Sequence, residues 1–194
     1  LILQIIKIFP PEASHKIALY SLKFLYKLNL INLFFPQIQD KKVEFLGLKL
    51  SNRLGTAAGL DKDGDFIDCL GSLGFGFLEV GTVTPLPQKG NPKPRVFRLF
   101  KENAVINRLG FNNKGVDHLV KRLKARRFKG VVGVNIGANK DSRDEKRIDD
   151  YLQCFKKVCD YANYITINIS SPNTPGLRDL HAIDNIKSLI EPIE

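Results

Sequence analysis

Four short strand-like runs alternate with amphipathic segments through the middle of this chain, and that order leaves few folds open. The runs fall near Arg53–Ala57, Phe77–Thr82, Val131–Ile136 and Tyr164–Ile169. Helical patterns lie between them near Asp63–Leu73, Asn113–Arg126 and Asp149–Tyr161, and a last one spans about Ala182–Ile190. Strand–helix alternation predicts an α/β fold with a parallel sheet and right-handed crossovers. In such sheets, polar side chains at the C-terminal strand tips are where ligands bind. Ahead of these units, Val43–Leu50 reads as a small hairpin.

At 194 residues the chain can bury one core, but a complete (β/α)8 barrel typically takes about 250 residues. Four units make half a barrel. A first residue that is Leu, and an end just past a helical pattern, give the expectation of the front part of a longer protein. Thirty Lys and Arg against twenty Asp and Glu leave a net charge of +10. Such a balance suits an anionic membrane surface or nucleic acid, and it also simply keeps a protein soluble. The basic residues Lys121, Arg122, Lys124, Arg126, Arg127 and Lys129 lie on one predicted surface helix without interleaved aromatics, so no nucleic-acid signature accompanies the charge. Cys69, Cys154 and Cys159 show no Cys-x-x-Cys pairing, which points to a reduced compartment, no metal site, and thiols that serve as small buried apolar groups.

The N-terminus is apolar and laced with lysine. Leu1–Phe9 is too short to span a bilayer, which takes about 20 residues, and Pro10-Pro11 breaks it. A helix is predicted from Ser14, as N-cap, to about Leu28, and Leu30, Ile31, Leu33, Phe34 and Phe35 extend the apolar character to Pro36. Residues 1–36 read either as a module lying in the membrane interface or as a helical hairpin packed on a soluble core.

The most distinctive stretch is Asn168-Ile169-Ser170-Ser171-Pro172-Asn173-Thr174-Pro175-Gly176, which places amides and hydroxyls at one strand tip. Upstream come Ala58-Gly59-Leu60-Asp61-Lys62, Gly81-Thr82-Val83-Thr84-Pro85, Asn107-Arg108-Leu109-Gly110-Phe111-Asn112-Asn113 and Val134-Asn135-Ile136-Gly137. Gly59 and its small neighbours let backbone approach a flat ligand, and Lys62 sets a positive charge at a strand end. Amide side chains offer a heterocycle both donor and acceptor. Taken in order, from about Pro11 to Asp184, these motifs resemble the membrane-associated, quinone-linked class of dihydroorotate dehydrogenase.

The resemblance implies a TIM (β/α)8 barrel, of which residues 43–194 supply the first four or so units, preceded by a membrane and quinone-channel module at residues 1–36. It implies FMN as cofactor, contacted by Ala58, Gly59, Leu60, Asp61, Lys62, Thr82, Asn135 and Asn168. Dihydroorotate would meet Lys62, Asn107, Arg108, Leu109, Gly110, Phe111, Asn168 and Asn173, and Ser171 would be the catalytic base. His15 and Arg98 match positions near the quinone channel; helix-start solvation and an ion pair are the plainer uses of those two side chains. The implied reaction is oxidation of dihydroorotate to orotate in pyrimidine synthesis, with electrons passed to a membrane quinone. The implied location is peripheral, on the cytoplasmic side of the inner membrane. The family's later flavin lysine and its substrate-binding Asn-Thr pair have no counterpart in these 194 residues.

Two other uses of the sequence stand beside this one: a flavin barrel acting on transfer RNA, and an inactive truncated fragment. A serine hydrolase fits poorly, because Ser171 precedes proline and lacks the Gly-x-Ser-x-Gly elbow. Gly71–Gly76 has the wrong glycine order for a dinucleotide fingerprint, and Gly137–Ser142 lacks the Gly-Lys-Ser/Thr ending of a phosphate loop.

Overall fold

The computed structural model describes residues 8–35, 41–173 and 177–193. Most of the Leu1–Phe9 segment, Pro36 and the Thr174-Pro175-Gly176 end of the strand-tip motif lie outside these residues.

The chain begins with α1 (Pro11–Lys27) and α2 (Ile31–Phe34), followed by a hairpin of β1 (Val43–Phe45) and β2 (Leu48–Leu50). The α/β units then run α3 (Ile67–Gly71), β3 (Phe77–Val83), an antiparallel hairpin of β4 (Val96–Leu99) and β5 (Ala104–Asn107), α4 (Val116–Ala125), β6 (Val131–Ile136), α5 (Asp144–Val158), β7 (Tyr164–Ile167), a 3-10 turn (Leu177–His181) and α6 (Ile183–Ile190).

The main sheet is parallel, in the order β3-β6-β7, with Phe77 opposite Val131 and Gly133 opposite Tyr164. The expected strand at Arg53–Ala57 is reduced to one parallel bridge, Gly55 to Phe77. Leu54 and Thr56 still bond to its neighbour, through Gly76 N–H to Leu54 O at 2.8 Å and Thr56 N–H to Phe77 O at 3.2 Å. Four segments therefore lie side by side in chain order.

Period-2 alternation sorts the strand side chains between two faces, except at Thr82, which a register shift between Gly81 and Val83 turns from the Leu78–Val80 face to the Asn135 side. Leu78, Val80, Val132, Val134, Ile136, Ile165 and Ile167 join a core with Leu119 and Leu123 of α4 and Tyr151, Cys154 and Val158 of α5. The opposite face carries Phe77, Glu79, Asn135 and Tyr164. There the ring of Tyr164 fills the space where Gly133 would carry a Cβ, and Phe77 does the same over Gly55. The helices pack by the 3.6-residue period: Val116, Leu119 and Leu123 are buried on α4 while Lys121, Arg122 and Lys124 face out.

Several boundaries differ from expectation. The first helix starts at Pro11, since proline at its first turn loses no intrahelical bond. Ser14 is therefore not its N-cap; its Oγ donates back to Phe9 O and Pro10 O. The helix expected from about Asn113 begins at Val116, with Gly115 in the cap position. α3 is shorter than expected, because Asp61 and the 61–66 turn occupy its first half. Cys69 and Cys154 are buried as anticipated, but Cys159 is exposed. Of the basic run, Lys121, Arg122 and Lys124 are on α4, whereas Arg126, Arg127 and Lys129 follow it.

α1 belongs to the core as well as to the surface. Leu19, Leu22 and Ile31 of the N-terminal pair are buried within the main cluster. Tyr20, Phe24 and Leu28 are 59%, 62% and 51% exposed. Among the described residues no helix is long and apolar enough to cross a membrane.

Candidate active site

The C-terminal ends of the parallel strands bring three of the expected residues into direct contact. Thr82 Oγ1 donates to Asn135 Oδ1 at 2.6 Å. Asn168 Nδ2 lies 3.1 Å from Thr82 Oγ1 and 3.2 Å from Asn135 Oδ1. Thr82 is on β3, Asn135 on β6, and Asn168 follows β7, so each strand of the sheet supplies one polar group. Tyr151 of α5 fixes the last of them, its hydroxyl donating to Asn168 O at 2.7 Å.

The segment around Gly59 is laced to the same strand end. Gly59 N–H donates to Gly81 O at 2.7 Å, and Gly81 N–H donates to Asp61 O at 3.1 Å. Gly81 must be glycine: φ is +105°, and a Cβ there would lie 2.3 Å from Asn135 O. Gly59, at φ +101°, has nothing within 4 Å of where a Cβ would stand. Its backbone is bare on that side, as an approach to a flat ligand requires.

The charged members of the motif divide their work. Asp61 is buried, and its carboxylate accepts Asp65 N–H at 3.0 Å and Phe66 N–H at 2.8 Å. Burial pushes its pKa up to about 6. It is a turn-forming group, and only its backbone is turned to β3. The Lys62 ammonium donates to Asn112 Oδ1 at 2.9 Å, rather than pairing with Asp61 or Asp63. Burial, followed by the nearby Arg95 charge, lowers its pKa to about 8.

Gly59, Leu60, Asp61, Lys62, Leu109 and His15 all line a cavity of about 650 Å³ between α1 and the strand-end loops. His15, although open to solvent, has its pKa lowered by burial of the ring and by Lys62. Arg98 is not among the lining residues. Its guanidinium donates to Phe9 O and Ser14 Oγ, each at 2.8 Å, and so fastens β4 to the start of α1.

The Asn107–Phe111 motif is spread out. Asn107 and Arg108 are exposed, and Arg108 donates to Pro94 O and lies over the Phe97 ring. Gly110 O accepts from Gln88 Nε2 at 3.0 Å. Phe111 turns inward at φ +50°, a strained value for a bulky residue, held by Asn113 Nδ2 donating to Phe111 O at 2.7 Å. Its ring reaches the Cβ position of Gly137, beside Thr82.

Ser171 is half-buried, and its Oγ accepts Asn173 N–H at 3.3 Å. Neither Ser171 nor Asn173 is among the residues lining the 650 Å³ cavity. Their loop is pinned by Arg178 Nε to Ser170 O and by a His181 Nε2 contact to Ile169 O. The structure thus joins Thr82, Asn135 and Asn168, ties the Gly59 and Asp61 backbones to the neighbouring Gly81, sets Gly59–Lys62 on the wall of the adjacent cavity, and leaves Asn107, Arg108 and Arg98 outside the cluster.

Three participants escaped the sequence reading. Glu79 accepts from Asn135 Nδ2 at 2.9 Å and from the Tyr164 hydroxyl at 3.0 Å. A carboxylate inside the apolar strand FLEVGTV was a signal for it. Arg95, 6% exposed, forms a forked pair with Glu12 at 2.8–3.2 Å and donates to Lys89 O and Asn91 O. Nothing local marked it, since its partner is 83 residues away. Asn112, which holds Lys62, stands in the Asn107–Asn113 motif without a role of its own there.

A parallel α/β sheet with neutral amides and a hydroxyl at its strand tips carries its polar groups where proteins of this class place their ligand sites. The dihydroorotate dehydrogenase family model matches residues 41–192, and the chain belongs to that family. It is 52% identical over 184 residues to dihydroorotate dehydrogenase (quinone) of Cellvibrio japonicus, covering 95% of this chain and 54% of that protein. The enzyme of the same name from Marinobacter nauticus is 53% identical over 185 residues, with the same coverage. A crystal structure of DHODH from Eimeria tenella in complex with ferulenol superposes with a TM-score of 0.80 at 39% identity, covering 94% of this chain and 50% of that one. Its ligand-free counterpart gives a TM-score of 0.77 at 40% identity, covering 90% and 51%. These likenesses place the fold in the TIM-barrel family. The chain spans about half the length of the curated relatives it matches.

Proposed function

We propose that this chain is the front part of a quinone-linked dihydroorotate dehydrogenase, contributing the first four β/α units of the barrel and a peripheral membrane module. The observation that supports it most is the Thr82–Asn135–Asn168 cluster at three adjacent strand tips, within a chain of that family.

The residues fit FMN. The bare backbone at Gly59 accommodates a flat ring, and the neutral amide–hydroxyl set matches a heterocycle edge carrying both donors and acceptors. Ala58–Lys62, Thr82, Asn135 and Asn168 would hold it, and when bound it supplies a two-electron acceptor for hydride from C6 of dihydroorotate. Lys62 holds a positive charge where an anionic pyrimidine binds, and Phe111 closes the pocket beside Thr82. Asn107, Arg108, Leu109, Gly110, Asn168 and Asn173 complete the substrate contacts. Ser171 Oγ takes the proton from C5 of dihydroorotate; a hydroxyl is a weak base, so it depends on hydrogen bonding and on an acidified C–H bond.

The cavity beneath α1, lined by His15, is the route by which a membrane quinone approaches, with Arg98 holding the helix that roofs it. Exposed Tyr20, Phe24 and Leu28 would sit among acyl chains on the cytoplasmic side of the inner membrane. The test is dihydroorotate-dependent loss of flavin absorbance, followed by quinone-dependent recovery, in the 194-residue chain and in a form extended past Glu194. Bleaching in the extended form supports the reading; a protein that binds FMN but is not reduced by dihydroorotate in either form overturns it.

A further inference from the structure

A second cavity, of about 320 Å³, lies between the C-terminal half of α1 and the end of α4. Five cations line it: Lys23, Lys27, Arg122, Arg126 and Arg127. The two carboxylates in its wall are already engaged. Asp65 is shared by Lys114, His118 and Arg122, and Asp68 Oδ1 accepts the backbone N–H groups of Arg127 and Phe128. Lys23 donates to Asp65 O at 2.8 Å and lies over the Phe66 ring, while Arg126 donates to Tyr161 O. Among the described residues, the side chains of Lys27 and Arg127 have no ion-pair partner. A concave surface with this charge excess attracts a compact polyoxyanion.

We propose that this cleft binds the phosphate of an anionic phospholipid headgroup. The cleft shares α1 with the exposed Tyr20 and Phe24, with Leu28 capping the helix, and the helix's own Lys23, Tyr26 and Lys27 form one wall. A helix lying with those apolar side chains among acyl tails carries the cleft to headgroup depth, where each basic residue near an anionic surface strengthens binding. This rests on the interfacial reading of α1. Burial of Arg126, which disfavours its charged form, adds to the pull for an anion.

The test uses Lys27→Gln/Arg127→Gln, two exposed positions outside the proposed catalytic machinery, with Lys146→Gln/Lys156→Gln on α5 as a charge-matched control. Binding is measured to phosphatidylcholine vesicles with and without phosphatidylglycerol. The cleft variant should bind anionic vesicles about thirtyfold more weakly, at roughly fivefold per basic residue removed, while its binding to neutral vesicles stays at the wild-type level. An equal loss in the control leaves only bulk charge and overturns the proposal. So does unchanged vesicle binding with lost stabilisation by inorganic phosphate, which marks a soluble anion site, or with lost RNA binding. If wild type binds neither vesicle, the membrane reading itself has failed and the cleft proposal falls with it. If wild type binds both vesicle types equally, only the headgroup site has failed.

Discussion

Glu79 sets which way the Asn135 amide points. A carboxylate can only accept, so the Asn135 NH2 must face Glu79 Oε1 at 2.9 Å, and Oδ1 is left to receive Thr82 and Asn168. One half-buried acid on β3 thereby orients the amide at the centre of the site.

Replacing that acid separates hydrogen bonding from charge. Glu79→Leu strands the Asn135 and Tyr164 donors and should cost about 1–3 kcal/mol, with weaker FMN binding. Glu79→Gln keeps an acceptor for Asn135 and should cost well under half of that. Denaturant unfolding and flavin titration of both variants check it; equal losses would show that charge, not amide orientation, is at stake.

Ser171→Ala should slow flavin reduction by dihydroorotate by 10²–10⁴-fold, on the order expected for a lost proton acceptor. FMN affinity should hardly change, because Thr82, Asn135 and Asn168 meet without it. Stopped-flow reduction at the wild-type rate would refute the assignment.

Lys62 should make anion binding pH-dependent. Its folded pKa, about 8, lies below the ordinary 10.5, so the fold disfavours its charged form. That cost to stability is fully present below about pH 8 and fades as pH rises toward 10.5. Orotate affinity should fall as pH rises through this range, and Lys62→Met should bind orotate weakly at every pH while melting higher than wild type near neutrality. A wild-type affinity that stays flat from pH 7 to 10 would count against the role.

Glu12 and Arg95 should hold α1 in place. The Arg95 hydrogen bond, ahead of opposing desolvation, holds the Glu12 pKa below its ordinary 4.5, so the pair's stabilisation is present above that value and lost as pH falls through the lowered one. Glu12, 24% exposed, leaves a buried guanidinium unpaired when removed. Glu12→Ala should therefore cost about 3 kcal/mol and impair quinone turnover more than flavin reduction. Steady-state assays with quinone and with a soluble dye distinguish the two.

Removal of residues 1–35 is a blunter test than the apolar sequence suggests. Leu19, Leu22 and Ile31 are core residues, so that deletion should lower stability as well as membrane attachment. Phe24→Ser with Leu28→Ser changes only exposed side chains, and should reduce vesicle binding without a comparable drop in melting temperature.

What the sequence disclosed follows the range of the forces involved. β6 matches its expected span, Val131–Ile136, because six consecutive buried residues leave a continuous apolar run. The Thr82–Asn135–Asn168 group was legible as motifs at strand ends, since local pattern fixes where each strand stops. The β4–β5 hairpin was not, hidden behind the proline-rich approach at residues 92–94. Nor was the shrinkage of Arg53–Ala57 to a single bridge, which depends on Phe77 packing over Gly55. Arg95 and Glu12 were missed because their pairing exists only after the fold brings α1 to the 89–95 turn.

That guanidinium also links α1 to the loop that carries Leu109. From Arg95 the bonds run to Lys89 O and Asn91 O, then from Asn91 to Leu109 O and Arg108 O. A compound wedged beneath the first helix would meet Arg95 directly, because Arg95, Glu12 and Leu109 line the same cavity. By levering Arg95 it would pull on the very turn that shapes the far wall, so an inhibitor designed for the lipid side would register in the affinity for orotate.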